Sequence, residues 1–194
     1  MNAENTQMTP LTKTLALRKP GLFSAYQNYI EPVIGRIVTG SVSLRKIQRK
    51  DNDEVRALIQ RVLIRKGGVG ADNYLYDEEL NDIHESYSQD GSSFYVMMYG
   101  GEIVGCIGLY RSSEDHNAAQ IKKFYFISKN SEEGHENGLI QSIKSRAYQL
   151  GYASCFIKVE ERDLTTIGRF EENGFQREPA GTSYSRNVRL VHHF

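Results

Sequence analysis

The stretch from Gln120 to Leu150 constrains this chain more than any other. It opens with Gln120-Ile121-Lys122-Lys123-Phe124-Tyr125-Phe126-Ile127, a β-branched and aromatic run that favours a strand. A polar loop follows, ending in Gly134-His135-Glu136-Asn137-Gly138. From Leu139 the apolar residues recur at 139, 140, 143, 147 and 150, which is helical spacing with one buried face. A strand, a glycine-bearing loop and a helix in that order commonly hold a phosphate. Backbone N–H groups at the helix start lack partners within the helix, and the helix dipole favours an anion there.

The flanking segments supply the rest of a sheet. Residues 1–20 are polar and end at Pro20-Gly21, which predicts a loosely attached arm whose removal leaves folding intact. Residues 22–37 have helical periodicity interrupted at Pro32; this segment either covers the core or forms a lid or partner surface. Val42 to Lys50 alternates and reads as the first strand. Asp51-Asn52-Asp53-Glu54 reads as a capping box before a helix whose apolar face is Val55, Leu58, Ile59, Val62 and Leu63. Lys66-Gly67-Gly68-Val69-Gly70 ends that helix. No strand precedes these glycines and no Gly-Lys-Ser/Thr follows, so they are not a nucleotide loop. Leu80, Ile83, His84 and Tyr87 lie on one face of a second helix.

Phe94–Tyr99 and Ile103–Tyr110 read as strands joined by a Gly100-Gly101 hairpin. After the central strand and its helix, Ala153–Val159 is apolar enough to be covered on both faces. Asp163 caps a short helix that Gly174 ends, and Ser183–Val191 closes the sheet. The expected fold class is therefore α/β (α+β), a mixed, mostly antiparallel central sheet flanked by helices. Residues 1–40 form an N-terminal extension and 41–194 the domain.

Composition narrows the class. The 194 residues are 39% hydrophobic, enough for one substantial core. The 24 basic and 24 acidic residues cancel, which argues against nucleic acid as a partner. Cys106 and Cys155 both sit in apolar runs and read as buried thiols. No apolar run approaches ~18 residues, so no membrane span is expected, and a cytoplasmic location is the default. His192-His193 has no further ligands nearby in sequence, so no metal is expected.

The pattern resembles the GNAT superfamily of N-acetyltransferases over about residues 42–191. The element order is that family's order. Gln120–Tyr125 resembles its fourth strand, Ala147-Tyr148-Gln149-Leu150-Gly151-Tyr152 the end of its third helix, and Arg169-Phe170-Glu171-Glu172-Asn173-Gly174-Phe175 its L-Y-E-K-x-G-F segment. Glu133-Gly134-His135-Glu136-Asn137-Gly138 is similar to the family's Q/R-x-x-G-x-G/A, with only Gly138 matching. The resemblance implies a GNAT-like acyl-CoA N-acyltransferase fold and an acetyl group passed from acetyl-CoA to a small-molecule or peptide amine, by a monomer or homodimer. The alternative is a catalytically silent module on the same fold.

It also implies site residues. The cofactor would be held by Phe126, Ile127, Glu133, Gly134, His135, Glu136, Asn137, Gly138, Leu139, Asp163 and Phe170, with strand N–H groups of Phe126 and Ile127 facing the thioester. Gln120 stands where some members have a glutamate base, and Phe170 where many have a tyrosine acid. Tyr125, Tyr110 and Tyr184 are the nearby hydroxyls, Tyr125 being taken with Gln120 as a catalytic candidate; His135 reads as a base, a phosphate ligand or a simple loop histidine. Glu132, Glu133 and Glu136 stand where the diphosphate would sit. Two unit charges 4 Å apart repel by about 1 kcal/mol in water and about 4 near a protein surface, so these residues are expected to weaken cofactor binding. The competing expectation is that their carboxylates satisfy the helix start internally.

Overall fold

The computed structural model describes residues 42–65, 77–127, 134–179 and 186–194. The expectations for residues 1–40, the glycine run at 66–70, Glu132, Glu133, Ser183 and Tyr184 lie outside them. The strands are β1 (Val42–Lys46), β2 (Ser93–Tyr99), β3 (Glu102–Arg111), β4 (Ala118–Phe126), β5 (Ser154–Glu160), β6 (Gln176–Arg177) and β7 (Asn187–His193). They form one seven-stranded sheet in the order β1-β2-β3-β4-β5-β7-β6. β4 and β5 are parallel and every other neighbour is antiparallel, as the sequence pattern predicts. At the β2–β3 turn Gly100 and Gly101 take φ of 59° and 91°, the left-handed pair a two-residue hairpin demands.

Among the described residues four α-helices cover the sheet: α1 (Asn52–Arg65), α2 (Ile83–Ser86), α3 (His135–Gln149) and α4 (Leu164–Glu172). On one face, Leu139, Ile140, Ile143 and Ala147 of α3, with Ile167 and Phe170 of α4, bury against Ile107, Leu109, Ala119 and Ile121. On the other, the expected apolar face of α1 packs with Leu80, Ile83 and Tyr87 on Phe94, Val96, Ile103 and Cys106. Both cysteines are buried and unpaired. Among the described residues no helix is long and apolar enough to cross a membrane.

Two local expectations change. The predicted second helix is two pieces, a 3-10 turn at Glu78–Leu80 and the single-turn α2. The predicted capping box does not close on Glu54. Asp51 ends a 3-10 turn, accepts the Gln48 N–H at 2.7 Å and pairs with Arg45, while Glu54 accepts the Ile103 N–H at 2.7 Å. A tertiary donor on β3 thus outcompetes the local one.

Gly108 on β3 leaves room for the Tyr87 ring, and a Cβ there would stand 2.6 Å from Tyr87 Cε1. The ring is itself wedged edge-on between Phe94 and Tyr110, so it has little freedom to retreat. Gly108→Ala is expected to cost about 1–3 kcal/mol, as overpacking does. A denaturant midpoint unchanged from wild type would show that Tyr87 can move.

Candidate functional site

The site follows from how β4 ends. β4 pairs with β5 only from Ala118↔Ser154 to Ile121↔Ile157, although both strands continue. Beyond Ile121, β4 stays with β3 and β5 stays with β7, so the two parallel strands part. Ile127 donates its N–H to the Val104 carbonyl at 2.7 Å. That N–H is committed to β3, which corrects the expectation that Ile127 offers it to a ligand. Because successive N–H groups of a strand point to opposite edges, the N–H of Phe126 points to the edge that β5 has left.

A bulge sits at the same place. Cys106 pairs with Tyr125 and Gly108 with Lys122, so Ile107 alone opposes Lys123 and Phe124. Lys123 has φ of 54°, alone among the described non-glycine residues in the left-handed region. Its carbonyl accepts the Cys106 thiol at 3.3 Å. The bulge turns two consecutive lysines to one side. Lys122 Nζ lies 2.8 Å from Glu79 Oε1, and Lys123 Nζ lies 3.1 Å from Glu79 Oε2 and also pairs with Asp77. Tyr87 donates its hydroxyl to Glu79 Oε2 at 2.9 Å. Burial by itself would raise the Glu79 carboxyl, but the two ammonium groups reverse this and hold it below the usual range. A carboxyl with a depressed folded pKa adds stability above its unfolded pKa. That contribution fades as pH falls through the lower folded value, so this cluster loosens in acid.

The sequence singled out none of Asp77, Glu79, Lys122 and Lys123, yet a signal was there. Two adjacent lysines in a regular strand must face opposite sides, which would bury one charge against α3. Only a bulge avoids that. Gln120, the expected base position, is half-buried between Tyr110 on β3 and Phe156 on β5. Tyr125 has its hydroxyl pushed up to about 12, chiefly by desolvation, so it is protonated at neutral pH. Tyr110 lies under Lys122, with Nζ 5.1 Å from the ring centre.

At the other end of the gap stands the start of α3. Gly134 precedes it in the left-handed conformation with φ of 59°, and Asn137 returns its N–H to the Gly134 carbonyl at 3.0 Å. Leu139 ties this first turn to the end of β4, since a Cβ on Gly105 would meet both Phe126 Cδ2 at 2.6 Å and Leu139 Cδ1 at 2.9 Å. Glu136 points inward. Its side chain is 2% exposed and pairs with Arg169 of α4, which is 25% exposed. Asn137 accepts from Asn173 at 2.9 Å, and Gln141 donates to Asn173 at 2.6 Å, so α3 and α4 are joined by a row of polar contacts. The expectation that Glu136 presents an unbalanced charge to a diphosphate is corrected for this residue. His135 is half-buried beside it, and Gly138 is buried with its carbonyl accepting from Ser142 at 2.8 Å.

On α4, Asp163 caps as expected, accepting from the Thr166 N–H at 3.1 Å and the Thr166 hydroxyl at 2.8 Å. Phe170 is fully enclosed, edge-on to Phe124 at 5.1 Å and to Phe175 at 5.0 Å between ring centres. It is a core residue that ties α4 to β4.

Comparison with known proteins places this arrangement. No family model matches the sequence. The chain is 23% identical over 145 residues to an Escherichia coli (strain K12) protein bearing the name uncharacterized N-acetyltransferase YjgM, across 74% of this chain and 87% of that one. An acetyltransferase of the GNAT family from Staphylococcus aureus Mu50 superposes with a TM-score of 0.67 at 16% identity, covering 79% of this chain and 99% of its own. The chain has the GNAT fold. The PaiA N-acetyltransferase from Thermoplasma acidophilum, solved in complex with coenzyme A, superposes with a TM-score of 0.63 at 16% identity over 79% of this chain and 99% of that one. The bulged β4, the parted β4–β5 pair and the α3 start are therefore the parts of a GNAT fold on which a thioester cofactor can be tested. They fit one: the parted strands leave an edge free, Gly134 opens a helix N-terminus, and Arg169 balances the one described acid there.

Proposed function

We propose that the protein is an N-acyltransferase that passes an acetyl group from acetyl-CoA to an amine. The observation that carries this is the parting of β4 from β5 at Ile121, with Lys123 holding a strained bulge beside the gap. Gly134, His135, Glu136, Asn137, Gly138 and Leu139 form the start of α3, whose backbone would receive the diphosphate, as would Glu133 before it. The free edge of β4 at Phe126 would face the acyl carbonyl and give the developing oxyanion a donor. Bound there, acetyl-CoA supplies an activated acyl group. The chain's own task is to bring an uncharged amine to it and keep water out.

The acceptor would enter from the α1 side of β4, where Gln120, Tyr110, Tyr125, Lys122, Lys123, Glu79 and Asp77 gather. Tyr125 is the protonated hydroxyl nearest the bulge in sequence and is the candidate donor to the leaving thiolate. Gln120 cannot take a proton, so it would orient a water or the amine. Asp163 and Phe170 act through α4, by capping it and by anchoring it to β4.

A second reading, a GNAT-fold module without catalysis, draws on Gln120 and Phe170, which offer no titratable group where many members have one. Calorimetric titration with acetyl-CoA separates the two. Micromolar binding, accompanied by a rise in melting temperature, is expected; ligand at 100 times its dissociation constant adds about 2.7 kcal/mol. Absence of binding at millimolar acetyl-CoA would remove the enzyme reading.

A further inference from the structure

We propose that Lys123, whose backbone stands where β4 and β5 part and whose ammonium is seated between two carboxylates, is an acyl acceptor in its own chain. This rests on the acyl-CoA reading above and adds the acceptor class to it, a primary alkylammonium.

Three observations converge on Lys123. Its backbone lies two residues past Ile121, the last β4 residue paired with β5, so it stands where the strands part. It is held within the bulge at φ of 54°, a conformation that costs a lysine energy, and its carbonyl accepts the Cys106 thiol. Its side chain is 10% exposed, with Nζ between Asp77 and Glu79. The pair of carboxylates also supplies the base for the step. One oxygen of Asp77, which is 23% exposed, takes a proton from the ammonium and passes it to solvent. The neutral Nζ then bonds to the carbonyl carbon of an acyl thioester as the C–S bond breaks. The thiolate leaves with the bonding pair and takes the second proton lost by nitrogen. An amide, a free thiol and one released proton result. The product side chain has no charge, so Asp77 and Glu79 lose a partner and the seat opens for another ammonium.

The test needs no knowledge of any other acceptor. The intact chain is incubated with acetyl-CoA, and acetylation at each lysine is followed by peptide mass mapping. Spontaneous acetylation follows exposure, so it should favour Lys158, which is 41% exposed, over Lys123. The expected result is the reverse, with Lys123 modified at least tenfold faster than Lys158 in the folded chain and the preference lost in urea. Asp77→Asn with Glu79→Gln should abolish the preference. As a readout independent of turnover, the acetylated chain should show the same altered melting temperature as unmodified Lys123→Gln protein. Calorimetric binding of acetyl-CoA without preferential modification of Lys123 would overturn this proposal and leave the acyltransferase reading standing. Neither binding nor modification would overturn both.

Discussion

Arg169→Met is expected to destabilise the protein by about 3 kcal/mol, the lower end of what breaking a buried pair costs by removing one partner. The lower end applies because Arg169 is itself 25% exposed, while the carboxylate it leaves behind is 2% exposed. Glu136 stays buried between α3 and α4 with no other ion partner among the described residues, and desolvation then favours its protonated form. The sign of the pH dependence follows. A carboxyl whose folded pKa is raised imposes a penalty above its unfolded pKa of about 4.3, and that penalty is relieved as pH falls. The deficit of the variant should therefore shrink in mild acid, while wild type is itself losing stability. Denaturant unfolding at several pH values reads this directly. Adding Glu136→Gln should recover most of the loss, because a neutral amide needs no cation; a double change no better than Arg169→Met would show that the arginine stem, not the charge, matters.

The same pair governs the cofactor end of the site. In Glu136→Gln alone the Arg169 guanidinium loses its carboxylate beside the α3 start, and acetyl-CoA affinity is expected to rise about tenfold, equivalent to roughly 1.4 kcal/mol. Arg169→Met should weaken it by a similar factor, since an acid then stands unbalanced. Equal affinities in all three proteins would place the diphosphate away from α3.

Phe170→Ala is expected to cost about 3–5 kcal/mol, the range for removing a buried phenyl ring. Phe170 is fully enclosed and contacts Phe124 and Phe175 edge-on, so the cavity would open between α4 and β4. Phe170→Tyr tests a different point. It restores the hydroxyl that the family resemblance associates with a thiolate acid, but inserts it into an enclosed apolar cluster. A loss of about 1–3 kcal/mol is expected if the hydroxyl finds no partner, with no gain in acyl transfer. Stability equal to wild type, with faster transfer, would mean the ring edge reaches the gap and that the fold lacks only an acid.

The meander, the crossover and the placement of β4 beside β5 were legible because each element carries its own period: Phe94–Tyr99 and Ile103–Tyr110 alternate around a glycine pair, and the apolar stripe from Leu139 to Ala147 has helical spacing. Asp163 was legible as a cap because capping joins residues three apart. The free thiols followed from the apolar runs around Cys106 and Cys155.

The site was only half legible. The loop acids read either as one charged group facing a ligand or as carboxylates satisfied at the helix start, and neither reading names Arg169, 33 residues after Glu136, which comes within reach when α4 packs on α3. Lys122 and Lys123 passed unremarked because a period-two strand has no place for both. The bulge that provides one arises from pairing with β3, and the carboxylates that hold the lysines come from a turn more than forty residues earlier. Sequence by itself determined the elements, their order and the adjacency of β4 and β5, since these depend on local periodicity and on the chirality of a crossover; where the two parallel strands stop pairing is a feature of the structure. Tertiary structure decided which charges are balanced and which backbone groups stay free. Those depend on partners brought together only when two faces of the sheet are packed, and charge balance over such distances leaves no periodic trace in the chain.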